Sequence, residues 1–349
     1  MKTNKIKRVR KVLKYIRFAL LLVLFIGMVI PTWTPHINGV NSISELRKIE
    51  INDTKLEVMI RGKDKNNPII IFVHGGPCCS EIPYVRKYQR EWEKDFTIVH
   101  YDQRGCGKSY SFGVDYSDVG VSTHVKDLIA LTEYVRKYLG QEQVILAGHS
   151  FGTYIGTRTV AERPELYKAY IGIGQMSNGI ESELYNLDKC IMEAGKAGNE
   201  KDVEYLKSLE SSIASGEIIA PRNYVRKYGY AARHISETGD YLSGFFFGTE
   251  YNLLDAIRYY TAIIKYQGNF ETEATEAPLS ETVLELKIPV YFVMGKYDGM
   301  TSPEVAEKYL NSITGTNTKK FILFEDSAHY PQFEEGEAFN EWLCETFIE

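Results

Sequence analysis

Apolar positions along the chain fall into short runs whose spacing predicts most of the architecture. "KIEINDTKLEVMIRG" (48–62) alternates apolar and polar residues around Asn52-Asp53, which predicts a two-stranded start joined by a turn. "PIIIFVHGGP" (68–77) and "FTIVHYDQRG" (96–105) are continuous apolar runs ending in turn residues, as expected of strands buried on both faces. "VSTHVKDLIALTEYVRKYL" (121–139) shifts to helical periodicity, with Ser122 or Thr123 as its N-cap. Another apolar run leads into Ser150, a helix follows to about Glu162, and "AYIGIGQ" (169–175) reads as the next strand. Strand and helix alternating at this spacing predict βαβ units and a mostly parallel sheet.

The alternation stops between 177 and 282, where helical and loop segments rich in Glu, Lys, Tyr and Gly surround the aromatic stretch "YLSGFFFGTEYNLLDAIRYYTAIIKY". Strands resume at "IPVYFVMG" (288–295) and "KKFILFE" (319–325), with "SPEVAEKYLNSI" as a helix between them and an amphipathic segment, "EAFNEWLCETFIE", at the end. The expected organisation is a core over 46–176 and 283–349, interrupted by a helical cap over 177–282.

Ahead of that core the pattern differs. Lys2, Lys5, Lys7, Arg8, Arg10, Lys11, Lys14 and Arg17 precede "FALLLVLFIGMVIPTW" (18–33), and no charged residue follows until Glu45. With Lys14 and Arg17 extended toward the headgroups, 12–33 reaches the length of a membrane span. Residues 1–33 therefore read as a basic N-terminus and anchor, with 34–45 as a linker. The positive flank places the N-terminus in the cytoplasm and the remainder outside. A cleaved signal peptide is the alternative, although Met28-Val29-Ile30-Pro31-Thr32-Trp33 lacks the small-residue pair that cleavage requires.

A net charge of −5 argues against a nucleic-acid partner. The five cysteines, Cys78, Cys79, Cys106, Cys190 and Cys344, have neither metal-ligand spacing nor the pattern of a disulfide framework. No cofactor is implied.

The chemistry centres on "GHSFG" (148–152). Glycines two residues either side of Ser150, between a strand and a helix, indicate a turn too sharp for side chains at those positions. Such a turn exposes the Ser150 hydroxyl at the carboxyl end of the sheet, with the Phe151 N–H ready to stabilise an oxyanion. A serine nucleophile needs a base and an orienting acid, in the chain order Ser, acid, His for this fold. His329, in the loop after the last strand, is preferred to His234, which falls in the cap. Asp298 ends the preceding strand in Gly-Lys-Tyr-Asp-Gly, whereas its rivals Glu325 and Asp326 share the histidine's own loop. Gly75 and Gly76 supply the second oxyanion donor.

"HGGP" at His74–Pro77, "DQRGCGKS" at Asp102–Ser109, "GHSFG", Asp298 and His329, in this order, resemble the α/β-hydrolase fold and within it the prolyl aminopeptidase (proline iminopeptidase) family of serine peptidases. The resemblance covers roughly 46–349. It implies Ser150, Asp298 and His329 as the triad, and the His-Gly-Gly loop with Phe151 as the oxyanion hole. His74, Asp102 and Arg104 become structural supports. Cys78 stands where the family loop usually has a glycine, and His149-Ser150-Phe151 replaces the common Gly-Ser-Trp. The implied activity is release of N-terminal proline or another small apolar residue from short peptides, the free amine being held by cap carboxylates. Glu183, Glu193, Glu204 and Glu250 are candidates for that role. An esterase or amidase acting on small apolar substrates is the alternative, and an inactive membrane-associated sensor a third. Epoxide- or haloalkane-type chemistry would need Asp where Ser150 stands.

Overall fold

The computed structural model describes residues 2–348; the side chains of residues 1–7 and 9, including the first basic positions, lie outside what it describes. Eight strands form one sheet: β1 (Ile43–Ile51), β2 (Thr54–Gly62), β3 (Ile69–Val73), β4 (Thr97–Tyr101), β5 (Val144–His149), β6 (Tyr167–Ile173), β7 (Val290–Gly295) and β8 (Lys319–Phe324). Their spatial order is β1-β2-β4-β3-β5-β6-β7-β8. β2 runs antiparallel to both β1 and β4, and every later pairing is parallel.

Strands β3 to β7 are buried along their whole length apart from Lys168, so each packs on both faces, as their continuous apolar runs require. Register aligns their carboxyl ends: Val73 pairs with Gly148, Gly148 with Gly172, and Ile173 with Val293. The loops after these strands consequently meet at one edge.

The helices are α1 (Lys2–Val29), α2 (Val121–Leu139), α3 (Phe151–Glu162), α4 (Gly179–Lys196), α5 (Glu200–Ser208), α6 (Glu210–Ala214), α7 (Arg222–Lys227), α8 (Glu237–Phe247), α9 (Leu253–Glu276), α10 (Leu279–Thr282), α11 (Pro303–Ser312), α12 (Pro331–Glu334) and α13 (Gly336–Phe347). Helices α4–α10 form the insertion between β6 and β7. The longest, α9, starts with a capping box: the Asn252 side chain accepts from the Asp255 N–H, and Asp255 returns a bond to the Asn252 N–H.

Two expectations need correction. β1 begins at Ile43, inside the stretch read as linker, because Ile43, Ser44 and Glu45 pair with Gly62, Arg61 and Ile60 despite their polar pattern. Helix α2 is capped at Gly120 with no side-chain bond, so Ser122 and Thr123 lie within its first turn. The Val121 N–H is satisfied instead by the Glu273 carboxylate of α9, 2.9 Å away.

Within α1, Arg10–Val29 has a mean hydropathy of 2.2 and no buried residue. By length and composition it can cross a membrane, and an N-terminal signal sequence meets the same measure. The chain after it is firmly held. Asn252 donates to the Ile30 carbonyl at 3.0 Å, and the Trp33 N–H to Thr249 O at 2.9 Å. Lys108 Nζ, paired with Glu57 at 2.7 Å, reaches Thr32 Oγ1 at 2.8 Å. Arg61, paired with buried Glu93, donates to both Thr34 Oγ1 and the Pro35 carbonyl at 2.6 Å. Residues 30–35 thus complete the hydrogen bonding of two buried cations.

Deleting residues 1–26 is expected to leave the urea midpoint of the remaining chain unchanged. Deleting 1–40 should lower stability by about 2 kcal/mol or more, the scale of lost bonds to buried charged groups. Equal midpoints for the two truncations would refute this account of 30–35.

Candidate active site

Ser150 sits between β5 and α3 with φ 53° and ψ −123°, a strained conformation for a residue bearing a side chain. Its backbone is fixed on both sides: the Ser150 N–H donates to Ile173 O at 2.9 Å, while Thr153 N–H and Oγ1 donate to Ser150 O at 2.8 and 2.6 Å. The flanking glycine follows from space. A Cβ on Gly152 would lie 1.9 Å from the carbonyl oxygen of Val73, at the end of β3. Helix α3 begins at Phe151, so the N–H groups of Phe151 and Gly152, next to the serine, have no intrahelical partner.

The loop after β3 crosses directly over this turn. A Cβ on Gly75 would meet Ser150 Cβ at 2.8 Å, so only glycine permits the approach. His74 braces the loop: its Nε2 accepts the Gln103 N–H at 3.2 Å, which leaves Nδ1–H to donate to the Gly75 carbonyl at 3.0 Å. Cys78 has φ 65°, the left-handed region that a glycine adopts freely. Its thiol is buried against that of Cys106, Sγ to Sγ at 2.6 Å, and all five cysteines are free.

Asp298 and His329 come together from the loops after β7 and β8. His329 Nδ1 lies 2.9 Å from Asp298 Oδ2, and both residues are buried. Asp298 accepts three further bonds, from Met300 N–H, Thr301 N–H and Thr301 Oγ1 at 2.8–2.9 Å. With a carboxylate at Nδ1, the proton belongs on that nitrogen and Nε2 is left basic. The rival Asp326 faces solvent and pairs with Arg233 and His234, which also removes His234 from the site. Asp102 and Arg104 stand outside the cavity. Buried Asp102 accepts from Ser80, the Lys108 N–H and Tyr251, and burial lifts its pKa to about 7. Arg104 forks onto Asp127 at 2.7 and 2.8 Å and reaches Asn52 O.

Two residues that brace this arrangement were given no role by the sequence: His149, inside the GHSFG motif, and Glu81, in none. His149 Nδ1 lies 2.7 Å from Glu81 Oε1, and its Nε2 lies 3.0 Å from the backbone oxygen of His329. The His329 backbone oxygen can only accept, so Nε2 carries a proton, and the shifts of the two partners favour imidazolium and carboxylate for the buried pair. Burial opposes the charge on His149, but the hydrogen bond and charge of Glu81 outweigh it and raise the pKa; Glu81 is correspondingly held below its ordinary range. The neighbouring His100 and His74 are neutral, pushed by burial to about 4. His149 thus ties the His329 loop to the segment after β3.

Two adjoining cavities of about 270 and 300 Å³ meet at Ser150, sharing Gly76, Arg226, Gln267 and Met300. One is lined by tyrosines 84, 241, 259, 260 and 330 together with Glu237 and His329. The other is lined by Ile180, Ile213, Ile218 and Ile219, with Glu183, Arg222, Arg226 and Glu271 as its charged groups. Of the cap carboxylates expected here, only Glu183 lines either of these two cavities, and Arg222 already neutralises it through bonds at 2.5 and 3.0 Å. Glu193 pairs with Lys196 and Tyr230, Glu204 lines a separate groove, and Glu250 is buried against Arg86 and Thr34. Sequence reasoning missed Glu271, whose one hydrogen-bond partner among the described residues is Gln267 Nε2 at 2.9 Å. Burial raises the Glu271 pKa.

These features define an α/β-hydrolase. Residues 68–189 match the family model for the alpha/beta hydrolase fold. The protein named "Probable aminopeptidase YbaC" of Bacillus subtilis is 30% identical over 305 residues, covering 85% of this chain and 94% of its own. A proline iminopeptidase of Heyndrickxia coagulans is 25% identical over 273 residues, covering 77% of this chain and 87% of its own. The crystal structure of a Mycobacterium smegmatis proline iminopeptidase superposes with a TM-score of 0.64 at 16% identity, over 87% of this chain and 97% of that one. The chain belongs to the α/β-hydrolase family, in the group that includes the aminopeptidases and proline iminopeptidases.

His149→Gln should lower thermal stability most near pH 6. A raised pKa contributes stability that is fully present below the unfolded value of about 6.5 and is lost as pH rises through the folded one. The gap in melting temperature between the two proteins should therefore narrow from pH 6 to pH 9. A gap that stays constant across that range would show that His149 is not the charged partner.

Proposed function

We propose that this protein is a serine aminopeptidase, acting on short peptides with N-terminal proline or another small apolar residue. The reading rests chiefly on His329, held by Asp298 at 2.9 Å, lining one cavity together with Ser150, Gly75 and Gly76. Ser150 Oγ attacks the scissile carbonyl as His329 Nε2 takes its proton. Asp298 holds the ring and stabilises the imidazolium. The Phe151 N–H and the N–H groups of the Gly75-Gly76 loop receive the developing oxyanion. His329 then protonates the departing amine, and water it activates hydrolyses the acyl-enzyme.

The substrate's ammonium group, once enclosed in the cavity, needs an anion beside it, because an unpaired buried charge is costly. Glu271 is the candidate: its accessible side chain lines the isoleucine-lined cavity and lacks the cationic partner that Glu183 has. The isoleucines suit a proline ring or small apolar side chain, and the tyrosine-lined cavity accommodates the rest of the peptide. We also read α1 as an uncleaved anchor, with the catalytic domain on the outer face. Supporting this are the basic flank, the 20-residue segment Arg10–Val29 with its mean hydropathy of 2.2, and the firm attachment of residues 30–35.

Ser150→Ala and His329→Ala should each reduce kcat by roughly 10⁴-fold or more on an aminoacyl-arylamide, since nucleophile and base act as a unit. Asp298→Asn should be similarly crippled and Asp326→Asn close to unchanged. The opposite order for the two aspartates would reassign the acid.

Glu271→Gln should raise KM for free-amine substrates and leave simple esters almost unaffected, and N-acetylation should cost at least ~3 kcal/mol in kcat/KM. If Glu237→Gln produces that pattern instead, the amine belongs in the tyrosine-lined cavity. Equal cleavage of free and acetylated substrates would establish the esterase or amidase alternative.

A further inference from the structure

The largest exposed apolar side chains outside α1 are concentrated on the α8–α9 hairpin. Phe247 is 86% exposed, Ile264 82% and Phe246 61%, with Leu242, Ile257 and Tyr260 each more than 40% exposed. A monomeric soluble surface scatters such residues singly. Here they occur on the two helices to which the end of α1 is attached. Thr249, two residues past Phe247, accepts the Trp33 N–H, and Asn252 bonds the Ile30 carbonyl. Gly27 of α1 packs so closely on Leu253 that a Cβ would come within 2.6 Å of its Cδ1.

On α9, Leu253, Ile257, Tyr260 and Ile264 follow the spacing of one helical face. The apolar surface of α1 therefore continues onto α9, and Ile264 lies about 16 Å along the helix from Leu253. Exposed Trp33 and Ile30 lie at the junction. Exposed Lys265 flanks the stripe and adds a cation of the kind that favours a headgroup layer, whereas Arg258 is paired with Asp255.

We propose that the α8–α9 hairpin lies against the surface of the bilayer that α1 spans, with Phe246, Phe247 and Ile264 in the headgroup layer. The proposal rests on the anchor reading above. It has a consequence for substrate choice. Tyr260 belongs both to this face and to the cavity wall, beside Ile263 and Gln267. The cavity therefore opens where the hairpin meets the membrane, and the favoured substrates are short apolar peptides that concentrate at a bilayer surface.

The full-length protein reconstituted in phosphatidylcholine vesicles tests this. Phe247→Trp, Ile264→Trp and, as a control, Leu323→Trp would be compared with the parent and its three native tryptophans. Leu323 is 40% exposed on β8, at the far edge of the sheet from β2, about 30 Å away at the usual strand spacing. Lipids brominated near the headgroup end of the acyl chains should quench the added fluorescence at 247 and 264 and not at 323. Quenching no greater at 247 and 264 than at 323, in a protein that floats with the vesicles, overturns this inference alone. A protein that does not float with the vesicles overturns the anchor and this inference with it.

Discussion

The close passage of the Ser150 turn beneath the end of β3 sets the geometry on which the rest of the site depends. Gly152 and Val73 O leave no room for a Cβ between them, and Gly75 and Ser150 Cβ leave none either. Two segments 75 residues apart are therefore held in register by contact of backbone with backbone, and neither loop can shift without the other. The strained φ of Ser150 persists because hydrogen bonds from Ser150 N–H to β6 and from Thr153 to Ser150 O over-determine it. A turn fixed in this way holds the Ser150 hydroxyl and the neighbouring backbone N–H groups in one relation, so on the proposed reading the donors need no reorganisation to receive the substrate's developing oxyanion.

Buried charge performs a second kind of positioning. The His149–Glu81 pair, Arg61 with Glu93 and Lys108 with Glu57 all lie in the interior, where an ion pair by itself offers little net stability. Each also uses its remaining hydrogen-bonding capacity to fix a third segment. His149 holds the His329 loop through His329 O. Lys108 and Arg61 hold residues 32–35, and so set the direction in which α1 leaves the core. Hydrophobic contact alone would permit sliding at these joints, whereas a charged group with fixed donors and acceptors permits one arrangement.

What the sequence made legible, and what it did not, divides along the same physical line. Buried strands announced themselves by continuous apolar runs, and the residue types and chain order around Ser150 singled out His329 and Asp298. Those signals are local, or follow from strand order. The partners missed are set by contacts between distant segments: Glu81 with His149 across 68 residues, and Glu273 with the Val121 N–H across 152. The N-cap expected at Ser122 or Thr123 failed for this reason, because a tertiary carboxylate satisfies the orphan donor. The cap carboxylates were unreadable in a similar way. Glu183, Glu193, Glu204, Glu250 and Glu271 look alike in sequence, and only their place in the fold and the presence or absence of a cation beside them distinguish them.

That last distinction bears on how a cap can recognise an amine. A carboxylate already matched by an arginine, as Glu183 is by Arg222, gains little from a second cation and serves to stiffen the cavity wall. Glu271 has Gln267 as its carboxylate's hydrogen-bond partner and no matching cation, and desolvation raises its pKa. On the reading proposed above, an ammonium entering beside it favours the ionised carboxylate and is favoured by it in turn. A peptide lacking the free amine brings no cation to that carboxylate and loses the pairing.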